Sequence, residues 1–143
     1  MFLLATGCAD ARTPVTRADY LSELETICAS TTAELDALPE PPELISVADF
    51  ATSAADSLDR EAQRVDRLVV PEDDDPDVDA DGDHRAFVRN TQDQAAAWRA
   101  IEAADRAGSN DIADSTELIA QLVGGRNELA AQMGANGCIR GKL

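Results

Sequence analysis

The chain has 143 residues, of which 44% are hydrophobic and only 3% aromatic, and its formal charge is −16 at pH 7. This length allows one domain with one modest hydrophobic core, and much alanine with few aromatic residues favours close-packed helices over sheets. Because so acidic a surface repels phosphate groups, the charge excludes nucleic acids and anionic lipid headgroups as primary partners.

The N-terminal residues MFLLATGCADART carry a candidate lipidation signal. The segment LATGC resembles a bacterial lipobox, since three small residues stand directly before Cys8, the residue that would carry the lipid. Ala5 stands where leucine is commonest, and the basic region and most of the apolar stretch of a full signal peptide are missing. We therefore interpret residues 1–15 as a truncated signal and lipobox remnant with a polar tether. The alternative is an unstructured N-terminus with an incidental thiol.

Two helices are predicted in the first half of the chain, each with an apolar stripe at helical spacing. The first begins at Thr16, which forms a capping-box pattern with Asp19, and prolines from Pro39 onwards end it. The second runs from about Leu44 to Val69, and Pro71 stops it. The stripes are Leu21, Leu24, Cys28, Thr31, Leu35 and Leu38 in the first helix and Val47, Ala51, Ala54, Leu58, Val65 and Leu68 in the second.

Two further helices are predicted after an acidic segment. The third starts near Asp83, with Asp81 or Asp83 as its N-cap, and ends before the sequence GSND at Gly108. The fourth runs from about Asp111 to Met133 and contains Gly124-Gly125, which indicates a kink or a close helix crossing. The apolar faces are Phe87, Thr91, Ala95, Trp98 and Ile101 in the third helix and Ile112, Ile119, Leu122, Val123, Leu129 and Met133 in the fourth.

Four helices of about 22–26 residues, hence roughly 33–39 Å long, with short connections predict an all-α, up-down-up-down four-helix bundle. The bundle spans residues 16–138, and residues 139–143 form a C-terminal tail. In that topology the end of the fourth helix returns beside the first, which allows a disulfide between Cys28 and Cys138. The count of three cysteines supports this pairing, because lipid on Cys8 leaves an even number. The alternative is a pair of buried, reduced thiols.

The segment from Pro71 to Asp83 contains eight acids and no base, and part of it matches a calcium-binding loop. An EF-hand loop needs oxygen ligands at its first, third and fifth positions and glycine at its sixth, and all four are present. The eighth position is histidine and the twelfth is valine, where the loop needs an apolar residue and a bidentate glutamate. We expect a solvated acidic loop ahead of a helix, with weak calcium binding as the alternative function. The candidate ligands are Asp77, Asp79, Asp81 and Asp83.

Few residues of the sequence are suited to catalysis or cofactor binding. Because His84 is the only histidine, a di-iron bundle with paired Glu-x-x-His motifs is excluded, and we interpret His84 as a surface residue. Glu61 and Arg126 are candidates for a buried polar site on facing helices, but we interpret each as lying at the edge of an apolar stripe with its head in water. We therefore expect a protein with no cofactor and no enzymatic activity.

The segments ATGC, YLSELETIC, LPEPP, LVVPEDD and GANGC follow one another along the chain. With these features the sequence resembles small actinobacterial lipoproteins and secreted proteins of unknown function, over nearly its whole length. The resemblance implies a helical domain held outside the cytoplasmic membrane by lipid on Cys8, and it implies no activity and no site residues. We therefore expect an extracytoplasmic, membrane-anchored binding or interaction module, whose protein partner the sequence does not identify.

Overall fold

The computed structural model describes residues 14–72 and 75–141, which form an all-α fold with no strand among them. The predicted four-helix fold is confirmed. The helices are α1 (Arg17–Asp36), α2 (Val47–Asp66), α3 (Ala80–Arg106) and α4 (Ala113–Met133), followed by a short 3-10 helix, η1 (Asn136–Cys138).

Side-chain caps fix where the first two helices begin. The capping box predicted at Thr16 is present: the Thr16 hydroxyl accepts the N–H of Asp19 at 3.1 Å, and the Asp19 carboxylate accepts the N–H of Thr16 at 3.3 Å. Ser46 caps α2 by accepting the N–H of Asp49 at 3.0 Å. Both caps satisfy backbone donors that have no partner within the helix.

The third helix begins earlier than predicted. Asp79 is its N-cap, because the Asp79 carboxylate accepts the backbone N–H of Gly82 at 2.8 Å. Asp81 and Asp83 lie in the first turn, where negative side chains favour the positive end of the helix dipole. The prediction that Asp81 or Asp83 is the N-cap is therefore wrong, and α3 reaches 27 residues.

Side-chain contacts between neighbouring helices show that the helices pack antiparallel. Glu34, near the end of α1, accepts a hydrogen bond from Arg60 at 2.7 Å. Ser30, one turn earlier in α1, accepts one from Arg64, one turn later in α2, at 3.3 Å. Hydrogen bonds from Ala48 to Asp105 and from Arg99 to Asp59 join α2 to α3. A hydrogen bond from Asn90 to the backbone carbonyl of Leu122 joins α3 to α4.

Two clusters of buried apolar side chains make up the core. The first draws on all four helices and includes Leu24, Phe87 and Met133. The second draws on α2, α3 and α4 towards the opposite end of the bundle and includes Ile101 and Ile119. None of the helices in the described part of the chain combines the length and the hydropathy that crossing a membrane requires.

The segment after α4 separates α4 from α1. Over the full lengths of these two helices, all of which the structure describes, no Cα atom of one lies within 8 Å of a Cα atom of the other, whereas η1 packs against both. Gly134, with a φ of 83°, ends α4 in the left-handed conformation that turns the chain back. Cys138 in η1 is joined to Cys28 in α1 by the predicted disulfide, with 5.1 Å between their Cα atoms.

Candidate functional site

Three ionisable side chains, which we call the buried charge cluster, are buried and joined by ion pairs: Glu61 of α2, Arg126 of α4 and Arg140. Their side chains are 0%, 0% and 3% exposed. Arg126 donates a hydrogen bond to Oε1 of Glu61 at 2.8 Å, and Arg140 donates one to Oε2. The interpretation of Glu61 and Arg126 as stripe-edge residues with their heads in water is therefore wrong. Each is long and polar, yet each is buried because it has a partner of opposite charge.

The charges of the buried charge cluster do not cancel. Burial lowers the pKa of Arg126 to about 10, and the nearby Arg140 adds to this effect while Glu61 opposes it. Arg126 therefore stays protonated at neutral pH. Two guanidiniums share one carboxylate, so the buried charge cluster holds one more positive than negative charge.

The buried charge cluster and the disulfide form one packed unit. Besides Glu61, Arg126 donates hydrogen bonds to the backbone carbonyl of Cys138 at 2.8 Å and to Sγ of Cys28 at 3.4 Å. Its guanidinium carbon also lies 4.7 Å from the centre of the Phe87 ring, a cation–π contact. Because the bridge holds Cys138 against α1, it also holds the carbonyl that Arg126 requires.

The C-terminal segment brings Arg140 into the core. The Asn127 side chain forms two hydrogen bonds with the backbone of Arg140. Asn127 Oδ1 accepts the Arg140 N–H at 2.9 Å, and Asn127 Nδ2 donates to the Arg140 carbonyl at 2.7 Å. The Arg140 side chain then reaches Glu61 and Thr32. Sequence reasoning placed Arg140 in the tail at 139–143 and missed it. The only signal was a basic residue two positions after Cys138, and its meaning depends on where the disulfide fixes the chain.

A cavity of about 430 Å³ lies beside Arg140, along the N-terminal half of α4. Most of its wall is apolar and includes Trp98 and Ile119, while Asn127 and Arg140 supply polar groups. Gly124 also borders it, and a Cβ atom there would meet no atom within 4 Å. This glycine therefore opens onto the cavity and is not needed for a close helix crossing.

The aspartates of the predicted calcium loop lie along an exposed stretch that ends in the first turn of α3. Two of their carboxylates have partners within the protein: Asp79 caps α3, and Asp81 forms an ion pair with Arg85. Among the described residues, no group of three or more His, Cys, Asp or Glu side chains is placed to hold a metal ion. This result covers all four candidate ligands, because the structure describes each of them: Asp77, Asp79, Asp81 and Asp83.

We expect no saturable heat when the chelator-stripped protein is titrated with calcium up to millimolar concentrations in a calorimeter. The reason is that the Asp79 and Asp81 carboxylates already accept hydrogen bonds from the protein. The matched control carries Asp77→Asn with Asp79→Asn, and asparagine caps a helix as well as aspartate does. Saturable heat in the native protein that disappears in this variant would instead establish the calcium-binding alternative.

His84 is buried in the bundle, so its interpretation as a surface residue is wrong. Its ring is 5.9 Å from the ring of Tyr20, and its Nδ1 shares a hydrogen bond of 3.0 Å with the Tyr20 hydroxyl. Burial lowers the pKa of His84, although Asp66 and Asp81 act against this shift. Burial likewise raises the pKa of Tyr20 to about 12. The pair is therefore neutral at neutral pH and contributes to the core beside α1.

Cys8, the predicted site of lipid attachment, lies outside the residues that the structure describes. The resemblance to small actinobacterial lipoproteins therefore stays a prediction about location. Comparison of the chain with protein-family models, with curated proteins and with solved structures gives no match.

Proposed function

We propose that this chain is an extracytoplasmic four-helix bundle, anchored to the outer face of the cell membrane by lipid on Cys8, that acts as a non-catalytic binding module. The lipobox-like sequence LATGC supplies the anchor in this proposal. The bundle supplies a fixed scaffold for a partner or ligand.

The buried disulfide is the observation that carries this proposal. Cys28 and Cys138 are separated by 110 residues, and both are 0% exposed. Disulfides of this structural kind form and persist in oxidising compartments outside the cytoplasm and are rare inside it. A bridge built into the core therefore supports an extracytoplasmic location, independently of the N-terminal sequence.

The surroundings of Glu61 support binding over catalysis. Both of its carboxylate oxygens accept hydrogen bonds from arginines, so neither is free to act on a substrate proton. The cavity beside Arg140 has a mainly apolar wall with a few polar groups, which is the usual character of a ligand site. We therefore assign the charged residues a structural and ligand-positioning role.

Replacing Cys8 with alanine in a gene that carries a complete signal sequence is expected to release the protein from the membrane of its host. Only the cysteine thiol can take the thioether-linked lipid, so the variant loses its anchor while the bundle stays intact. Membrane and soluble fractions are compared by immunoblot.

The matched control is Gly7→Ala, which keeps a small residue before the cysteine and is expected to remain in the membrane fraction. Membrane retention of the Cys8→Ala variant would contradict the proposed anchor.

A further inference from the structure

The cavity beside Arg140 has the size of a small-molecule site. Its volume of about 430 Å³ lies within the range of roughly 300–1,000 Å³ that ligand pockets occupy. It borders Trp98, the only tryptophan in the sequence, whose ring packs edge-on against Phe50 with 5.4 Å between the ring centres. A ligand in this cavity would therefore contact aliphatic side chains and one aromatic ring.

Hydrogen-bond donors without partners are concentrated next to this cavity. Arg140 Nη1 and Trp98 Nε1 are buried nitrogens that have no hydrogen-bond partner among the described residues, and both residues border the cavity. Arg126 Nε is a third such donor, against one buried acceptor, Oε1 of Gln94. A buried donor without a partner destabilises the fold, because it has given up its hydrogen bonds to water. The surplus of donors over acceptors favours a ligand group that only accepts hydrogen bonds.

The charge of the site favours the same kind of group. The buried charge cluster holds two guanidiniums and one carboxylate, and Arg140 connects it to the cavity. One further carboxylate at Arg140 would pair each guanidinium with a negative group. A buried charge is costly until it has such a partner, so the imbalance favours an anionic ligand.

We propose that this cavity binds a small molecule with an aliphatic body and a single carboxylate, such as a medium-chain fatty acid, with the carboxylate at Arg140 and the aliphatic chain against Trp98 and Ile119. The inference rests on the proposed binding role and names the chemistry of its ligand. Arg140 Nη1 and Trp98 Nε1 are themselves covered by neighbouring atoms. The ligand therefore reaches one of these donors only after a side-chain rotation at Arg140 or Trp98.

The test is a fluorescence titration of the full chain with decanoate and, separately, with decanol. Trp98 is the only tryptophan, so its emission reports directly on the cavity. Decanoate is expected to give a saturable change and to bind about tenfold or more tightly than decanol, the difference that one charge-assisted hydrogen bond supplies. Gly124→Leu, which places a side chain where a Cβ meets no atom within 4 Å, is expected to abolish the change while the helix content is unchanged.

Each other outcome overturns the inference. Equal affinity for decanoate and decanol removes the role of the carboxylate, and a saturable change that survives Gly124→Leu places the ligand elsewhere. The acid–alcohol comparison uses the native chain, so it holds even if the variant folds poorly. A failure to bind either probe leaves the Cys8 fractionation result unaffected, which separates this inference from the proposed anchoring and location.

Discussion

Replacing Glu61 with alanine is expected to lower the free energy of unfolding by about 3–5 kcal/mol, because it leaves two buried guanidiniums without their shared carboxylate. Arg126 and Arg140 are 0% and 3% exposed, so bulk solvent does not reach them to take over the role of Glu61. Such a loss is a large part of the roughly 5–15 kcal/mol that stabilises a typical domain. Urea unfolding followed by far-ultraviolet circular dichroism measures it.

Two variants show whether charge imbalance is the cause. Glu34→Ala breaks an ion pair of the same type with Arg60, but these side chains are 37% and 57% exposed, so we expect a loss of at most about 1 kcal/mol. Arg126→Met removes one of the two buried guanidiniums and leaves Glu61 with Arg140 as a balanced pair. We therefore expect it to be less destabilising than Glu61→Ala, and an equal or greater loss would contradict the charge argument.

Replacing both Cys28 and Cys138 with alanine is expected to lower the free energy of unfolding by about 4–5 kcal/mol. The reason is that the bridge closes a long loop and so reduces the conformational entropy of the unfolded chain. The bridge closes a loop with a sequence separation of 110 residues. It also keeps the carbonyl of Cys138 in hydrogen-bond contact with Arg126. The bridge fixes the chain two residues before Arg140, whose side chain pairs with Glu61. Urea unfolding of the oxidised native protein and of the double variant gives the difference.

Reduction provides the control for this second result. A thiol reductant present throughout unfolding is expected to bring the native protein close to the stability of the double variant, and to leave the double variant unchanged. Equal stability of the oxidised native protein and the double variant would show that the bridge contributes nothing to the fold.

The parts of the fold that depend on local chemistry were predictable from the sequence. The capping box at Thr16 and the spacing of Leu24, Cys28 and Leu35 define α1 within a few residues, because both act over one or two helical turns. The start of α3 was placed too late, since several aspartates in succession can each cap a helix. The choice of Asp79 depends on the backbone path before it.

The buried charge cluster was not predictable, because its members become partners only through the tertiary fold. A long polar residue beside an apolar stripe can place its charged end in water as readily as in the core. Glu61 becomes the shared partner of two arginines only because the fold also brings Arg140 to it. Arg140 itself lies after the last helix, in a segment without periodicity. His84 was misplaced for the same reason, since its partner Tyr20 stands far away in the sequence.

The measurement that tests the account most directly is alkylation of the protein exported by its host, without reductant, followed by peptide mass spectrometry. A disulfide-locked extracytoplasmic bundle predicts that Cys28 and Cys138 are recovered unmodified as one cross-linked peptide pair. Alkylation of either cysteine in the folded, exported protein would contradict both the locked core and the location inferred from it.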